Sequence, residues 1–177
     1  HVFLTIGDRG ERDRAQDTSD SAGSIIRLNL DGSIPSDNPI FASPNARPEL
    51  YSVGHRNPQG LAFDSKGHLY AHEHGPEGGD EINRIEAGLN YGWPTITYGR
   101  NYGIGTPIGE GVEKEGLEQP LIYWNPSIAP SGMTFYSGKQ FPQWKNNVFV
   151  GALKAQMLVR LAFENGRPKQ KERLYRG

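Results

Sequence analysis

The sequence contains no cysteine, which excludes disulfide bonds and thiolate metal ligands in these 177 residues. No apolar run approaches the length of a membrane-spanning helix, so no membrane span is expected. The formal net charge is −1, with 19 Lys and Arg against 20 Asp and Glu, and the two signs are interspersed. Because nucleic-acid-binding surfaces are strongly basic, we expect no nucleic-acid partner.

A sustained apolar period of 3.6 residues is also missing, so the sequence predicts little helix. Its 23 glycines and 13 prolines fall mainly at turns between short apolar runs, which is typical of an all-β fold. A chain of this length can bury a core of its own. It begins at His1 within a strand-like run, so we expect residues 1–177 to be a partial domain, an internal piece of a longer single domain.

A loose repeat of paired strand-like segments runs along the chain. The repeated segments are, in order, 1–4, then 60–63 with 68–71, then 132–135 with 147–150. The spacing between them is too irregular for a solenoid. It fits the blades of a β-propeller joined by loops of unequal length.

Each repeat ends in a strand that carries a matched arginine and is followed by a turn. The arginines are Arg27, Arg84 and Arg160, and the turns lie at 31–32, 87–88 and 165–166. Because catalytic groups have no reason to recur, we interpret these arginines as structural and expect them to form hydrogen bonds between blades. We also expect four apolar side chains to lie inside the blade packing, namely Phe63, Phe135, Val148 and Phe149.

The stretch from Gly54 to Pro94 contains three turn-rich loops, and the first carries Arg56 and Asn57 directly before Pro58. The proline biases Asn57 towards extended backbone. Arginine offers a planar fork of donors that matches carboxylate oxygens, and asparagine adds a neutral donor and acceptor. The same pair could instead form a salt bridge and a turn before the proline, and the sequence leaves both interpretations open.

The second loop places Gly75 and Pro76 shortly before Asp80 and Glu81. Backbone carbonyls and carboxylates close together are the oxygen ligands that calcium prefers. Asp80 and Glu81 could supply charge to a second ion, with the carbonyl of Tyr91 in reach from the next strand. The alternative is a solvated acidic turn without a metal.

His72 and His74 alternate along a predicted strand and share a face, with Glu73 on the other. A zinc pair is conceivable, but no third ligand is evident. We interpret His55 and His68, which lie beside turns, as surface or hydrogen-bonded structural residues.

Lys154, at the end of an apolar strand, either extends to solvent or points into a channel to meet an anion. Tyr102 lies within the long loop 98–120, and long loops in compact domains are usually functional. Among the aromatic residues it is the best candidate to face a ligand.

Nine ordered motifs covering nearly the whole chain resemble the glucose/sorbosone dehydrogenase family. They lie at 6–10, 27–35, 54–60, 73–76, 79–83, 90–94, 131–136, 141–144 and 151–154, and the last three resemble its aldose sugar dehydrogenase branch. The resemblance implies a six-bladed β-propeller, of which this chain would cover roughly the middle blades. It also implies that pyrroloquinoline quinone (PQQ) and Ca²⁺ are bound and that aldoses are oxidised at the anomeric carbon to lactones.

Carried over residue by residue, the resemblance implies that Arg56 and Asn57 contact the quinone, with Arg56 stabilising charge. The carbonyls of Gly75 and Pro76 would ligate the calcium that bridges to it. Four further assignments follow: Tyr102 and Lys154 would line the cofactor pocket, and Glu81 and Tyr91 would form a second calcium site. The catalytic base would be a histidine upstream of His1.

The resemblance also implies an aldose substrate, an external electron acceptor and a periplasmic or secreted location, and it leaves a homodimer open. Two other functions remain open at this stage. One is a propeller without a quinone that binds a protein or sugar partner. The other is a calcium-dependent lactonase, although no suitable set of carboxylate and asparagine ligands around one central metal is evident.

Overall fold

The computed structural model describes residues 1–164 and 167–176, and its strands form three sheets in chain order. The first contains β1 (Val2–Ile6), β2 (Ser24–Leu28) and β3 (Leu50–Val53). The second contains β4 (Pro58–Phe63), β5 (Leu69–Glu73), β6 (Asp80–Ile85) and β7 (Ile122–Trp124). The third contains β8 (Pro130–Phe135), β9 (Val148–Ala152), β10 (Met157–Glu164) and β11 (Arg167–Arg176).

All neighbouring strands within these sheets are antiparallel and follow one another along the chain. Two short 3₁₀ helices, Arg12–Gln16 and Pro142–Trp144, are the helical elements of the described residues. The predictions of an all-β fold and of little helix are therefore confirmed. Across 1–164 and 167–176, no helix has the length and apolar character needed to cross a membrane.

Successive sheets pack face to face through apolar side chains. One core joins β2 to the second sheet through Ile25, Leu69 and Ile85. A larger core joins the second and third sheets through Ile82, Trp124, Val148, Val150, Val159 and Leu161. Consecutive antiparallel sheets stacked in this way are the blades of a β-propeller.

Strand alternation in the second sheet assigns its residues to two different neighbours. The side chains of Leu69 and Ala71 on β5 face the first sheet, whereas Tyr70 faces the third. Tyr70 packs against Phe135, with ring centroids 4.9 Å apart. Because side chains two residues apart share a face, this alternation also decides where the polar residues at the end of β5 point.

Three of the four expected packing residues are buried or partly buried. Val148 is fully buried, Phe135 packs against the larger core, and Phe149 is half-buried beside Trp144. The prediction for Phe63 is wrong, because its side chain is 53% exposed. Phe63 ends β4 just before the turn at residues 64–67, where the first sheet covers it only in part through the ring of Phe3, 5.7 Å away between centroids.

The recurring arginines are structural, but their described contacts lie within their own sheets and not between blades. Arg27 forms an ion pair with Asp37 at 3.0 Å, and Arg84 one with Glu86 at 2.8 Å. Arg160 pairs with Glu172 of β11 at 2.6 Å. Their partners are loop or cross-strand residues whose positions the repeat alone did not reveal.

The turns expected after two of these arginines are present. Gly32 and Gly88 both adopt a positive φ, 83° and 78°, which glycine tolerates without strain. The third expected turn, at 165–166, lies outside the described residues.

Candidate functional site

The loops at one end of the sheets enclose a cavity of about 290 Å³. Its wall combines the β5–β6 loop, the long loop before β7, the β7–β8 connection and the β9–β10 turn. Four residues singled out from the sequence meet there: Gly75, Pro76, Tyr102 and Lys154. The remaining lining residues are His74, Glu77, Asp80, Ser127 and Ala129.

Asp80 holds two walls of this cavity together, a role that the sequence did not reveal. One carboxylate oxygen accepts hydrogen bonds from the backbone N–H of Gly75 at 2.9 Å and the hydroxyl of Ser127 at 3.0 Å. The other accepts from the backbone N–H groups of Ile128 and Ala129 at 2.7 and 2.8 Å. With these four hydrogen bonds, Asp80 is a structural anchor of the cavity wall.

The loop that carries Tyr102 lies directly on the loop that carries Gly75 and Pro76. The backbones of Glu77 and Arg100 exchange two hydrogen bonds of 3.1 and 3.0 Å. A Cβ added at Gly99 would lie 2.5 Å from Cγ of Pro76, so only glycine permits this approach. The cavity is therefore built from two loops that support each other.

A much smaller cavity, of about 10 Å³, lies next to the first and is large enough for roughly one water molecule or ion. Arg56, Glu81 and Tyr91, all expected at the site, line it together with Glu73 and Gly75. The structure thus brings the predicted residues together in two adjoining groups, and Gly75 belongs to both.

Two carboxylates meet at the small cavity. Glu73 and Glu81 are directly opposite each other on β5 and β6, and both accept hydrogen bonds from the Nδ2 group of Asn83, at 3.1 and 3.2 Å. Burial and the charge of Glu73 raise the pKa of Glu81 to about 8. A cation between the two carboxylates would remove this repulsion.

Glu73 itself is held in the charged form. Burial disfavours its ionisation, but His55 and the backbone N–H of Arg56 more than compensate, so its pKa lies below the usual value. His55 Nδ1 lies 3.0 Å from one carboxylate oxygen, and the Arg56 N–H donates to the other at 2.7 Å. His55 is therefore a buried, hydrogen-bonded structural histidine, as expected.

Arg56 is positioned by backbone and aromatic contacts. Its guanidinium donates to the carbonyl of His74 at 3.0 Å and lies 5.4 Å from the ring centre of Trp93. Within 1–164 and 167–176 it forms no ion pair, so the salt-bridge interpretation finds no support. Asn57 lines neither cavity, and its side-chain oxygen accepts a hydrogen bond from Gln59 at 2.8 Å.

The zinc alternative for His72 and His74 is not supported. His74 Nε2 lies 2.7 Å from the carbonyl oxygen of Pro130, a hydrogen bond that engages this nitrogen. No group of three His, Cys, Asp or Glu residues is placed to hold a metal among the described residues. The small cavity instead offers two carboxylates with the backbone of Gly75 and Tyr91 nearby, a hard oxygen donor set that fits Ca²⁺.

Comparisons with known proteins all point to one family. The model of the glucose/sorbosone dehydrogenase family matches residues 1–177. The aldose sugar dehydrogenase YliI of Escherichia coli is 45% identical over 161 residues, which are 90% of this chain and 43% of that protein. The quinoprotein glucose dehydrogenase B of Acinetobacter calcoaceticus is 30% identical, over 92% of this chain and 48% of that protein.

Solved structures agree with these relatives. The apo form of the E. coli soluble aldose sugar dehydrogenase superposes with a TM-score of 0.92 at 41% identity, over 97% of this chain and 50% of that one. The PQQ-bound aldose sugar dehydrogenase of Streptomyces coelicolor gives 0.78 at 30% identity, over 99% and 46%. The chain spans about half the length, or slightly less, of the proteins it matches.

Proposed function

The chain belongs to the glucose/sorbosone dehydrogenase family, and from this premise we propose that it serves the PQQ- and calcium-dependent oxidation of aldoses at the anomeric carbon to lactones. The main support is the cavity in which Gly75, Pro76, Tyr102 and Lys154 meet. It adjoins a second cavity with the oxygen donors that calcium prefers. When bound, the quinone would supply the hydride-accepting chemistry, and the protein would supply orientation and electrostatics.

We assign the larger cavity to the cofactor. The quinone is a tricarboxylate, and the ammonium of Lys154 is the one cation that lines this cavity among the described residues. The exposed ring of Tyr102 stands at the same cavity and would cover a face of the planar ligand. The carbonyls of Gly75 and Pro76 would hold the calcium ion that accompanies it.

The second calcium ion is assigned to the small cavity, with Glu81 and the carbonyl of Tyr91 as ligands. The repulsion between Glu81 and Glu73 supports this assignment, because a cation there would offset it. Arg56, fixed by the His74 carbonyl and Trp93, would stabilise negative charge on the quinone oxygen. The assignment of Asn57 to the same ligand rests on the resemblance alone, because Asn57 lines neither cavity. The resemblance places the catalytic base in a histidine outside these residues.

The test is cofactor affinity in the intact protein. Lys154→Ala removes a charge-assisted contact worth roughly 1.5–3 kcal/mol, so the Kd for PQQ should rise about 10- to 100-fold. Lys139→Ala is the matched control, because Lys139 is exposed and lines neither cavity. Affinity is measured by titrating PQQ into the calcium-loaded protein and following tryptophan fluorescence.

Two results would contradict the proposal. One is an unchanged Kd in Lys154→Ala, which would place this lysine outside the cofactor site. The other is absence of saturable PQQ binding to a folded, calcium-loaded protein, which would favour a propeller that binds a partner without a quinone. A periplasmic or secreted location, an external electron acceptor and a homodimer remain parts of the proposal that rest on the resemblance.

A further inference from the structure

A second large cleft, of about 580 Å³, lies between the outer strands of the second and third sheets. It is bounded by the start of the β7–β8 connection, the β9–β10 turn and the middle of β11. Three cationic side chains line it, Lys154, Lys171 and Arg173. Among the lining residues, all of which lie in the described part of the chain, there is no carboxylate.

Strand alternation explains how the cations come to lie there. Lys171 and Arg173 on β11 pair with Leu161 and Val159 on β10, which are fully buried and face the second sheet. Cross-strand pairs share a face, so both long side chains extend along the rim of this core. Glu172, between them, points to the opposite face and pairs with Arg160.

The electrostatics of the cleft are unbalanced. Lys171 Nζ lies 4.6 Å from the centre of the Trp124 ring, and partial burial together with the charge of Arg173 lowers the pKa of this lysine. Neither cation forms an ion pair with a carboxylate of the described residues. Trp124 also lines the cleft, and its indole N–H is buried without a hydrogen-bond partner within that part of the chain.

We propose that this cleft binds a compact oxyanion of the phosphate or carboxylate class, held by Lys171 and Arg173 at the outer end and by Lys154 at the inner end. An oxyanion would offset the like-charge repulsion and accept hydrogen bonds from the ammonium and guanidinium groups. The inner lysine also lines the 290 Å³ cavity, so the two sites share one cation. The proposal does not depend on the redox function, because anion binding requires neither quinone nor sugar.

The simpler explanation is that the lysine and arginine merely cover the apolar rim with their methylene groups. In that case no saturable anion binding is expected. Calorimetric titration of the intact protein with inorganic phosphate distinguishes these two explanations. The ionic strength is kept constant with sodium chloride, because ionic screening alone gives no saturation. The indole N–H resonance of Trp124 in nuclear magnetic resonance spectra gives an independent readout at the site.

Removal of one charge-assisted contact should weaken phosphate binding about tenfold or more in Lys171→Gln and in Arg173→Gln. Lys169→Gln is the matched control, since Lys169 lies on the same strand but pairs with Glu164 at 2.6 Å and does not line the cleft. Its affinity should remain that of the wild type. The single variants keep long side chains and a folded rim, so thermal unfolding should change little.

The proposal is overturned if phosphate binding does not saturate, or if both cleft variants bind as tightly as Lys169→Gln. Comparison of phosphate, acetate and glucose 6-phosphate then identifies the source of the anion. Tighter binding of the sugar phosphate assigns the cleft to an anionic sugar. Equal binding of free phosphate and the sugar phosphate assigns it to the free ion.

Discussion

Asp80→Asn is the substitution that should damage the site most without removing a ligand-binding group. The carboxylate is buried and accepts four hydrogen bonds, three of them from backbone N–H groups. Asparagine has the same shape but offers one accepting oxygen and one donating amide. If the side-chain oxygen of the new asparagine accepts from Ile128 and Ala129, its NH₂ group can donate to the Ser127 hydroxyl. The same NH₂ group then faces the backbone N–H of Gly75, so two donors meet and that N–H loses its acceptor.

The cost follows from this geometry. A buried N–H left without an acceptor at Gly75 costs about 1–3 kcal/mol. The two bonds to Ile128 and Ala129 change from charge-assisted to neutral, which removes roughly half of their strength, or about 1 kcal/mol each. Since the amide avoids the desolvation cost of a buried charge, we expect a net loss of about 3 kcal/mol in the free energy of unfolding.

Urea denaturation of the intact protein measures this loss directly. Asp37→Asn is the control, because Asp37 is 72% exposed and solvent screens its ion pair with Arg27, so its loss should change the stability little. Because Gly75 loses its anchor, calcium affinity should fall in Asp80→Asn under conditions where it remains folded. If the two variants unfold at the same urea concentration, the anchoring role of Asp80 is refuted.

Two further predictions follow from burial and close contacts. Burial and the neighbouring His74 lower the pKa of His72 to about 4, although Glu73 and Asp80 oppose this, so the neutral ring is buried in the fold. The stabilising contribution of this neutral ring should therefore be complete above the unfolded pKa of about 6.5 and fall by about 3 kcal/mol towards pH 4. The difference in the free energy of unfolding between the wild type and His72→Gln, measured by chemical denaturation, should shrink by that amount over this range. In Gly99→Ala the new methyl would lie 2.5 Å from Pro76 and 2.7 Å from the Gly78 carbonyl, whereas in Gly132→Ala nothing lies within 4 Å. We expect Gly99→Ala to have a lower melting temperature than the wild type and faster hydrogen exchange in the loop that carries Tyr102. Gly132→Ala should behave as the wild type. If the two variants behave alike, the proposed packing of the two loops is contradicted.

The sequence alone predicts the structure correctly where local chemistry determines it. Glycine and proline placement gave the turns, and alternation of apolar residues gave strands such as β9 and β10, whose inward residues are buried. It failed for Phe63 because alternation predicts which side a residue faces, but not whether a neighbouring sheet extends far enough to cover it. It failed for the partners of Arg27 and Arg160 because those partners depend on loop paths and strand register.

The adjacent pair Asp80 and Glu81 shows what the sequence could not separate. Both are acidic residues beside the Gly75–Pro76 turn, so composition suggests one role for both. Consecutive residues of a strand point to opposite faces, however, and here the faces meet different neighbours. Asp80 meets one hydroxyl and two backbone N–H donors supplied by residues 47–49 positions later in the chain, besides the N–H of Gly75. Glu81 lies beside the charged carboxylate of Glu73 and shares with it the side-chain amide of Asn83 as a donor, so the negative charge of Glu81 is not balanced. The fold thus uses one carboxylate to shape the cavity and leaves the other available to a cation.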